Sequence, residues 1–380
     1  MRLRCCLLLM ALVPLMTFAE GEEPKKDQNF VTKGLMWVKT LIDSMAVANV
    51  DRSYIEQPKL PWAVELRTVA SQSTLKMTAD WSVAGVESSA ITARTDNGFS
   101  TSVGLWAGYR GYGFGLSKEL TGGDGSTLSF GAMGGSFGIN LRINSYRSKQ
   151  PEIETAFSGI GDQNVSERAD LDDPIHVRSL FLDGYYMLNG KHFSYAAAYD
   201  QSLIQRKSAG SIAVGLMYYH TRVSFEQDSN WPLLLLMNNV GRLKFTQANV
   251  GAGYAYNWVP ARGWLVSVMA MPMVTFYNKT KAYYYGVVDK DGVSIFDKMM
   301  EDESWDEEID NTGWQVKEVS EEITNNRVSW NFDGRLSVSY NWSRWYLRVF
   351  GHYNQFNYKN DSDNGRLTDW TAYASLGFRF

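Results

Sequence analysis

The final stretch of the chain, Trp370 to Phe380, constrains the fold more than any other part of the sequence. Apolar residues occupy one parity: Trp370, Ala372, Ala374, Leu376, Phe378 and Phe380. Mostly polar or small residues occupy the other: Thr371, Tyr373, Ser375, Gly377 and Arg379. Because successive side chains of a strand point to opposite faces, this pattern predicts a strand with one apolar face.

The same alternation recurs from Trp62 onward and is clearest between Val328 and Tyr340. Its apolar faces are long and are framed by Trp and Tyr, in a chain with 13 Trp, 21 Tyr and 18 Phe. A soluble β-sandwich also alternates, but aromatic residues near strand ends are typical of the girdles of membrane barrels. The pattern therefore predicts an all-β fold, an antiparallel transmembrane β-barrel ending on the aromatic residue Phe380.

Residues 1–19 have the features of a secretory signal peptide, with Arg2 and Arg4 before an apolar core. Cys5 and Cys6 lie inside it, so we expect no disulfide, reactive thiol or cysteine metal site in the mature chain. Removing the two arginines changes the formal charge from −4 to −6, which disfavours nucleic acid as a partner.

Residues 20–61 are expected to form a periplasmic segment before a barrel over residues 62–380. Phe30 to Val47 carries apolar residues at helical spacing and predicts an amphipathic helix. It would pack on the periplasmic end of the barrel or, alternatively, act as a plug or partner-binding element.

Twelve strands are predicted, with ten to fourteen as the range, because single-chain bacterial barrels have even strand counts. The predicted strands are 62–78, 89–95, 99–110, 112–119, 127–146, 176–187, 209–225, 243–258, 262–278, 328–341, 343–358 and 365–380. Gly134-Gly135 is interpreted as a bulge within the fifth strand. Long outer loops are expected at 147–175, 226–242 and 279–327, and tight periplasmic links at 96–98, 259–263 and 341–342.

Phe193 to Tyr199 also looks like a strand, but a thirteenth span would place the long loops on the wrong side. We therefore interpret residues 189–209 as a periplasmic connection that can fold into the barrel mouth, with fourteen strands as the alternative.

That connection and an upstream element, Asp51-Arg52-Ser53-Tyr54-Ile55, resemble the domain-of-unknown-function 4421 family of Bacteroides-type bacteria. The residues that carry the resemblance in the connection include Phe193, Ser194, Tyr195, Gln201, Gln205, Ser208 and Gly210. The resemblance covers about Asp51 to Phe380. It implies an outer-membrane barrel and no catalytic residues, because the family is uncharacterised.

Inward parity assigns a set of charged and apolar side chains to the lumen. The candidates are Glu65, Arg67, Asp183, Met269, Met271, Met273, Asp333, Arg335, Arg344, Arg348 and His352. Buried charges must be paired or hydrated, so the charged members either form salt bridges that fill the bore or line a channel. The methionines can pack against a plug or accept an apolar ligand.

Two predicted outer loops stand out. Trp231 to Met237 is apolar and can rest on the outer leaflet, fold into the bore or contact a partner. Glu301 to Asp310 is acidic and is expected to be a solvated loop, with weak divalent-cation binding as the alternative.

We expect a non-enzymatic barrel with no metal and no cofactor, acting as a narrow channel or as a binding or transport barrel for a small or amphipathic ligand. A structural or adhesion role through the outer loops is the first alternative. A lipid-modifying enzyme using His220 and Ser224 is the second, although no Gly-x-Ser-x-Gly element occurs. Expected partners are outer-membrane lipid and, through the strand ending at Phe380, the barrel-assembly machinery.

Overall fold

Antiparallel strands account for most of the computed structural model, which describes residues 40, 44–81, 89–96, 99–121, 125–149, 152–157, 163–168, 170–237, 239–295, 313–325, 328–359 and 363–380. The strands are β1 Ile55–Glu56, β2 Trp62–Trp81, β3 Ser89–Asp96, β4 Ser100–Tyr109, β5 Tyr112–Thr121, β6 Ser126–Met133, β7 Phe137–Ser148, β8 Glu152–Phe157, β9 Gln163–Arg168, β10 Ile175–Met187, β11 Ile204–Gln205, β12 Ala209–Ser224, β13 Val240–Trp258, β14 Trp264–Val288, β15 Gln315–Asn325, β16 Trp330–Trp342, β17 Trp345–Lys359 and β18 Asp363–Arg379. The helices are α1 Tyr195–Tyr199 and α2 Trp231–Leu236, with a 3-10 turn at Asp228–Asn230.

Twelve of these strands close into a barrel. The wall runs β2, β4, β5, β6, β7, β10, β12, β13, β14, β16, β17 and β18, each antiparallel to the next. The last strand returns to the first, from Asp363 opposite Ala79 to Arg379 opposite Ala63. The predicted antiparallel barrel of about twelve strands is confirmed.

The total is right, but two of the predicted strands are wrong. Residues 126–148 form two wall strands, because the chain reverses at 134–136 and β6 pairs with β7. The predicted bulge at Gly134-Gly135 is therefore a turn.

The predicted span 89–95 is not part of the wall. β3 pairs with residues 74–81 of β2, and β4 pairs with residues 62–71 of the same strand. The predicted periplasmic link at 96–98 is also wrong, because β3 and β4 run in the same direction. Asn97 and Gly98 themselves lie outside the described residues.

The two ends of the barrel differ in their connections. At one end, here called the terminal end, lie Trp62, Phe380 and tight turns such as 259–263 and Ser343-Arg344. The opposite end, here called the loop end, carries the longer connections and the extra strands β3, β8, β9 and β15. Strand β14 runs ten residues past its predicted end at 278, because β15 pairs with residues 279–288 of this strand.

Side chains on the outer face are apolar along the wall strands. On β12, Ile212 and Leu216 are 53% and 58% exposed, whereas Ala213 and Met217, which directly follow them, are 0% and 3% exposed. Trp258, Trp264 and Trp345 lie exposed near the terminal end and form part of an aromatic rim. An apolar outer belt with an aromatic rim is typical of a barrel embedded in lipid.

Three predictions from the sequence fall on residues outside the described ranges. They are the signal peptide at 1–19, most of the helix from Phe30 to Val47, and the acidic run from Glu301 to Asp310. Residues 44–46 of the predicted helix are helical, and the carbonyl of Ala46 accepts the Gly135 N–H at 3.1 Å. None of the helices in the described part of the chain is long and apolar enough to span a bilayer.

Candidate functional site

The connection between β10 and β12 enters the lumen at the terminal end; residues 189–208 are here called the plug. Its helix α1 has all five residues buried, and Ser194 caps it by accepting the Ala197 N–H at 3.0 Å. The N–H groups of Tyr195 and Ala196 donate to the carbonyls of Gly135 and Gly134 at 2.9 and 3.0 Å. The plug therefore satisfies part of its backbone on the turn between β6 and β7.

Close packing beside this turn explains one of the glycines in the wall. A side chain at Gly138 would meet the ring of Tyr195 at 1.9 Å, so only glycine admits the plug tyrosine there.

Two buried glutamines hold the remainder of the plug. The Gln205 oxygen accepts the Ser194 N–H at 2.9 Å and the Asn257 amide at 3.1 Å. Its nitrogen donates to the carbonyls of His192 and Lys207 at 2.6 and 2.9 Å. All four hydrogen-bonding positions of the Gln205 side chain are thus used, which explains a glutamine at this point of the family pattern.

Gln201 ties the plug to the last strands of the wall. It has a left-handed backbone, with φ of 66°, and its side chain donates to Ser339 at 3.0 Å and accepts from Asn341 at 2.8 Å. The Arg379 guanidinium donates to the Gln201 carbonyl at 2.7 Å. The carboxyl end of the chain therefore helps to fasten the plug.

The other family-pattern residues lie around the plug. Phe193 is fully buried, and the Ser208 hydroxyl accepts the Val259 N–H at 2.9 Å. Gly210 lies against the ring of Tyr254, which a side chain would displace. Each of these contacts is structural.

A charged cluster around Arg335 joins the plug to the wall. The Arg335 guanidinium lies 3.0 Å from Asp183 and 3.5 Å from Asp333, and it donates to the Tyr195 hydroxyl at 2.6 Å. The His352 ring is 2.9 Å from the other oxygen of Asp333. Arg335 bridges two carboxylates, so each of these buried carboxylates has a cationic partner within the lumen.

A second cluster surrounds Arg348, which is 1% exposed. Its guanidinium lies 2.9 Å from Glu65 and also donates to the carbonyl of Tyr199 at the end of α1. Arg67 donates to the same Glu65 at 2.6 Å and stacks over Trp106. Both arginine clusters therefore bond the plug to the wall, and Arg67, Arg335 and His352 also line the cavity beside it.

The remaining lumen candidates fall into two groups. Met269, Met271 and Met273 are at most 1% exposed and belong to the apolar cluster that also contains the residues of α1. Arg344 is wrong as a lumen residue, because it lies exposed in the turn between β16 and β17. The predicted strand began at residue 343, but β17 begins at Trp345. The alternation of faces does not apply to a residue in the turn, because the chain there leaves the plane of the sheet.

Beside the plug lies a cavity of about 160 Å³, here called the lumen cavity. Tyr199 and Asp200 form its floor, and Glu119 and exposed Ser126 lie at the loop end where β5 leads into β6. Its wall includes nine serines and two threonines from β2, β4, β5, β6, β7, β10 and β18. Burial and the neighbouring Glu65 carboxylate raise the pKa of Asp200 above its ordinary value.

Four buried polar atoms that belong to residues lining the lumen cavity have no hydrogen-bond partner. They are Arg142 Nη2, Asn144 Oδ1, Tyr199 OH and Asp369 Oδ2. Arg142 and Asp369 form only a loose ion pair, 3.7 Å apart. Buried polar atoms are normally satisfied, so these four mark a place for water or a ligand.

Four of the predicted lumen residues, Arg67, Asp183, Arg335 and His352, line this cavity, whereas the residues with unpartnered atoms were not predicted. A signal was present, because Asn140, Arg142 and Asn144 alternate with the apolar Ile139, Leu141 and Ile143. Asp369 likewise shares the parity of Thr371 and Tyr373 in the last strand, whereas no such signal points to Tyr199, which reaches the cavity only through plug insertion.

Two further candidates lie away from the plug. The apolar stretch from Trp231 is helix α2, whose Leu234 is fully buried, so it folds inward at the loop end. His220 is half-buried, and its ring is 2.8 Å from the Thr246 hydroxyl. Within the described ranges, no group of three or more His, Cys, Asp or Glu side chains is arranged to hold a metal ion.

Solved outer-membrane barrels resemble this fold at low identity. The outer membrane protease OmpT from Escherichia coli is 6% identical with a TM-score of 0.34, over 84% of this chain and 97% of that one. The translocator domain of the autotransporter NalP from Neisseria meningitidis is 9% identical with a TM-score of 0.31, over 92% and 97%. OprG from Pseudomonas aeruginosa is 11% identical with a TM-score of 0.25, over 85% and 98%.

No curated protein is significantly similar in sequence to this chain. A family model does match, over residues 49–380, which include the plug and every strand of the barrel wall. The match agrees with the resemblance seen in Asp51 to Ile55 and in the plug. The chain therefore belongs to the family described as domain of unknown function DUF4421.

Proposed function

We propose that this protein is an outer-membrane barrel that binds a small ligand in the lumen cavity and is closed toward the periplasm by its plug. The observation that carries the proposal is the pairing of a plug packed into the terminal end with a cavity that extends from the plug toward the loop end and is lined by many polar side chains. A cavity whose buried polar atoms lack partners is suited to binding, because a ligand or water must satisfy the hydrogen bonds of these atoms.

The orientation follows from the connections. Bacterial barrels have short periplasmic turns and longer extracellular loops. Apart from the connection that forms the plug, the links between wall strands at the terminal end are tight turns, and the other long connections lie at the opposite end. The part of the cavity lined by Glu119 and Ser126 therefore lies on the side of the cell exterior, and the apolar outer belt lies in the lipid.

Binding is favoured over free conduction because the arginine clusters are paired with carboxylates and with the plug. Binding is also favoured over catalysis, since the His220 ring is bonded to Thr246 and lies about 13 Å along the same strand from Ser224. A nucleophilic serine needs a histidine base within hydrogen-bond reach.

Thiol labelling of cells that carry the full chain tests the proposal. Ser117→Cys lies in the cavity wall, whereas the matched control Ser211→Cys is 2% exposed near the plug. We expect a small hydrophilic thiol reagent, added outside, to modify the first variant and not the second. The natural cysteines, Cys5 and Cys6, both lie in the predicted signal peptide. Equal protection of both variants would contradict an externally open cavity.

Planar-bilayer recording tests the closed end. Wild-type protein should show little steady conductance, because the plug fills the terminal end of the lumen. A large, steady conductance from unmodified protein would contradict an occluded barrel and favour the channel hypothesis.

A further inference from the structure

The lumen cavity has a chemical character that narrows its ligand. We propose that it binds a neutral, polyhydroxylated molecule of about the size of a monosaccharide; this inference rests on the proposed function. It deepens that function by naming the class of ligand.

Arginines and carboxylates both line the cavity, and their mixture disfavours strongly charged ligands. Arg142 lies 3.7 Å from Asp369, so an anion approaching the arginine meets the carboxylate, and a cation approaching the carboxylate meets the arginine. Glu119 lies toward the loop end and further disfavours anions. A neutral ligand avoids both repulsions, because like charges in a partly desolvated site interact strongly.

The unpartnered atoms exclude a purely apolar ligand. Arg142 Nη2 is a donor, whereas Asn144 Oδ1 and Asp369 Oδ2 are acceptors and the Tyr199 hydroxyl can be either. An apolar ligand would leave all four atoms desolvated and unpaired, which is unfavourable. The ligand must therefore offer donors and acceptors together.

A hydroxyl group meets this requirement in a single atom, because it donates one hydrogen bond and accepts others. One hydroxyl placed beside the loose Arg142–Asp369 pair accepts from the guanidinium and donates to the carboxylate. Its neighbours on the same small molecule reach Asn144 and Tyr199, and the serine-rich wall offers further partners.

Apolar surface in the cavity suits the carbon skeleton of such a molecule. Phe130 and Phe350 line the cavity among the hydroxyls. Binding sites for small molecules combine apolar surface with a few placed polar groups, which fix the orientation of the ligand. Hydroxyls and aromatic rings in one cavity therefore match the two kinds of surface that a sugar presents.

Saturation-transfer NMR on the full chain in lipid nanodiscs tests the inference. The probes are glucose, galactose and N-acetylglucosamine, with glucuronate, glucosamine and alanine as charged or zwitterionic comparisons. We expect a neutral sugar to bind most tightly, and Asn144→Leu to weaken it at least about tenfold by removing a buried acceptor. The control Gln355→Leu removes an amide that bonds Tyr353 and Asn357 outside the cavity, and it should leave binding unchanged.

The outcomes separate the ligand class from the proposed function. If Ser117→Cys is labelled from outside but no neutral sugar binds, the ligand class is wrong and the open cavity stands. Tighter binding of glucuronate, glucosamine or alanine also overturns the class. If Ser117→Cys is protected and no probe binds, both proposals fail. An equal effect of Asn144→Leu and Gln355→Leu shows that any sugar binds elsewhere, which overturns the site.

Discussion

Two groups of buried polar side chains in the lumen differ in how fully they are hydrogen-bonded. Toward β13, β14, β16 and β17, side-chain amides and hydroxyls bond one another in a cluster that the backbone of Asn357 joins; its side chains are those of Gln247, Asn249, Thr275, Asn278, Ser329 and Asn331. Toward β5, β6 and β7, the lumen cavity leaves Arg142, Asn144, Tyr199 and Asp369 with unpartnered atoms.

This difference distinguishes polar groups that stabilise the barrel from polar groups that are available to a ligand. In the amide cluster each group already has protein partners, with the nitrogen of Asn249 as an exception. A ligand there would have to break existing bonds, whereas in the cavity it supplies missing ones. The same residue types therefore stabilise one side and offer a site on the other.

The largest expected effect comes from the charged cluster that joins the plug to the wall. Arg335→Ala leaves Asp183 and Asp333 without their shared cation, so we expect about 3–5 kcal/mol of destabilisation. Urea unfolding in lipid vesicles measures it. Arg344→Ala, at an exposed turn, is the control and should be nearly neutral. A mild effect of Arg335→Ala would mean that the cluster is hydrated.

The sharpest test of the comparison uses the same substitution on both sides. Asn331→Leu removes three donated bonds and one accepted bond, and we expect a loss of about 2–4 kcal/mol. Asn144→Leu removes an acceptor that has no partner, so its stability should change by about 0.5 kcal/mol or less. Equal losses in urea unfolding would erase the distinction between the two sides.

A smaller and more local effect is expected at the plug. Gln205→Leu abolishes the four hydrogen bonds of this side chain and should loosen residues 189–208, with about 1–3 kcal/mol lost. Bilayer conductance should rise, because the plug then leaves the lumen more often. Gln315→Leu, at an exposed position of β15, is the matched control. Conductance that stays at the wild-type level would show that other contacts suffice to hold the plug.

The smallest expected effect is a pH dependence at the cavity floor. The pKa of Asp200 is raised from 3.8 by burial and by Glu65, so the folded state holds this proton more tightly than the unfolded state. Its contribution to stability is therefore present below pH 3.8 and is lost as the pH rises toward the folded-state pKa. Asp200→Asn cannot lose a proton there, so its stability relative to wild type should increase with pH. A constant difference across that window, measured by thermal unfolding, would argue against a buried Asp200.

Local pattern predicted most of the wall and few of the contacts inside it. Alternation placed Glu65, Asp183, Arg335 and Arg348 on a common inner face, because side-chain direction follows from a period of two within one strand. It could not show that Arg335 and Arg348 reach the plug, since those contacts join residues roughly 150 positions apart.

The errors arose where a choice depended on distant partners. Gly134-Gly135 is compatible with either a bulge or a turn, and the turn is held by Tyr195 and Ala196 of the plug. Residues 89–96 have the composition of a wall strand, yet β2 is long enough to pair with both β3 and β4.

The amino-acid sequence by itself determined the barrel class, the outward apolar belt and the family, because each is written in short-range alternation or in a contiguous motif. Tertiary structure alone decided which twelve segments form the wall, that residues 189–208 close one end, and that Asp369 meets Arg142 across the lumen. Those outcomes depend on strand register and barrel closure, which bring together groups that no local pattern connects.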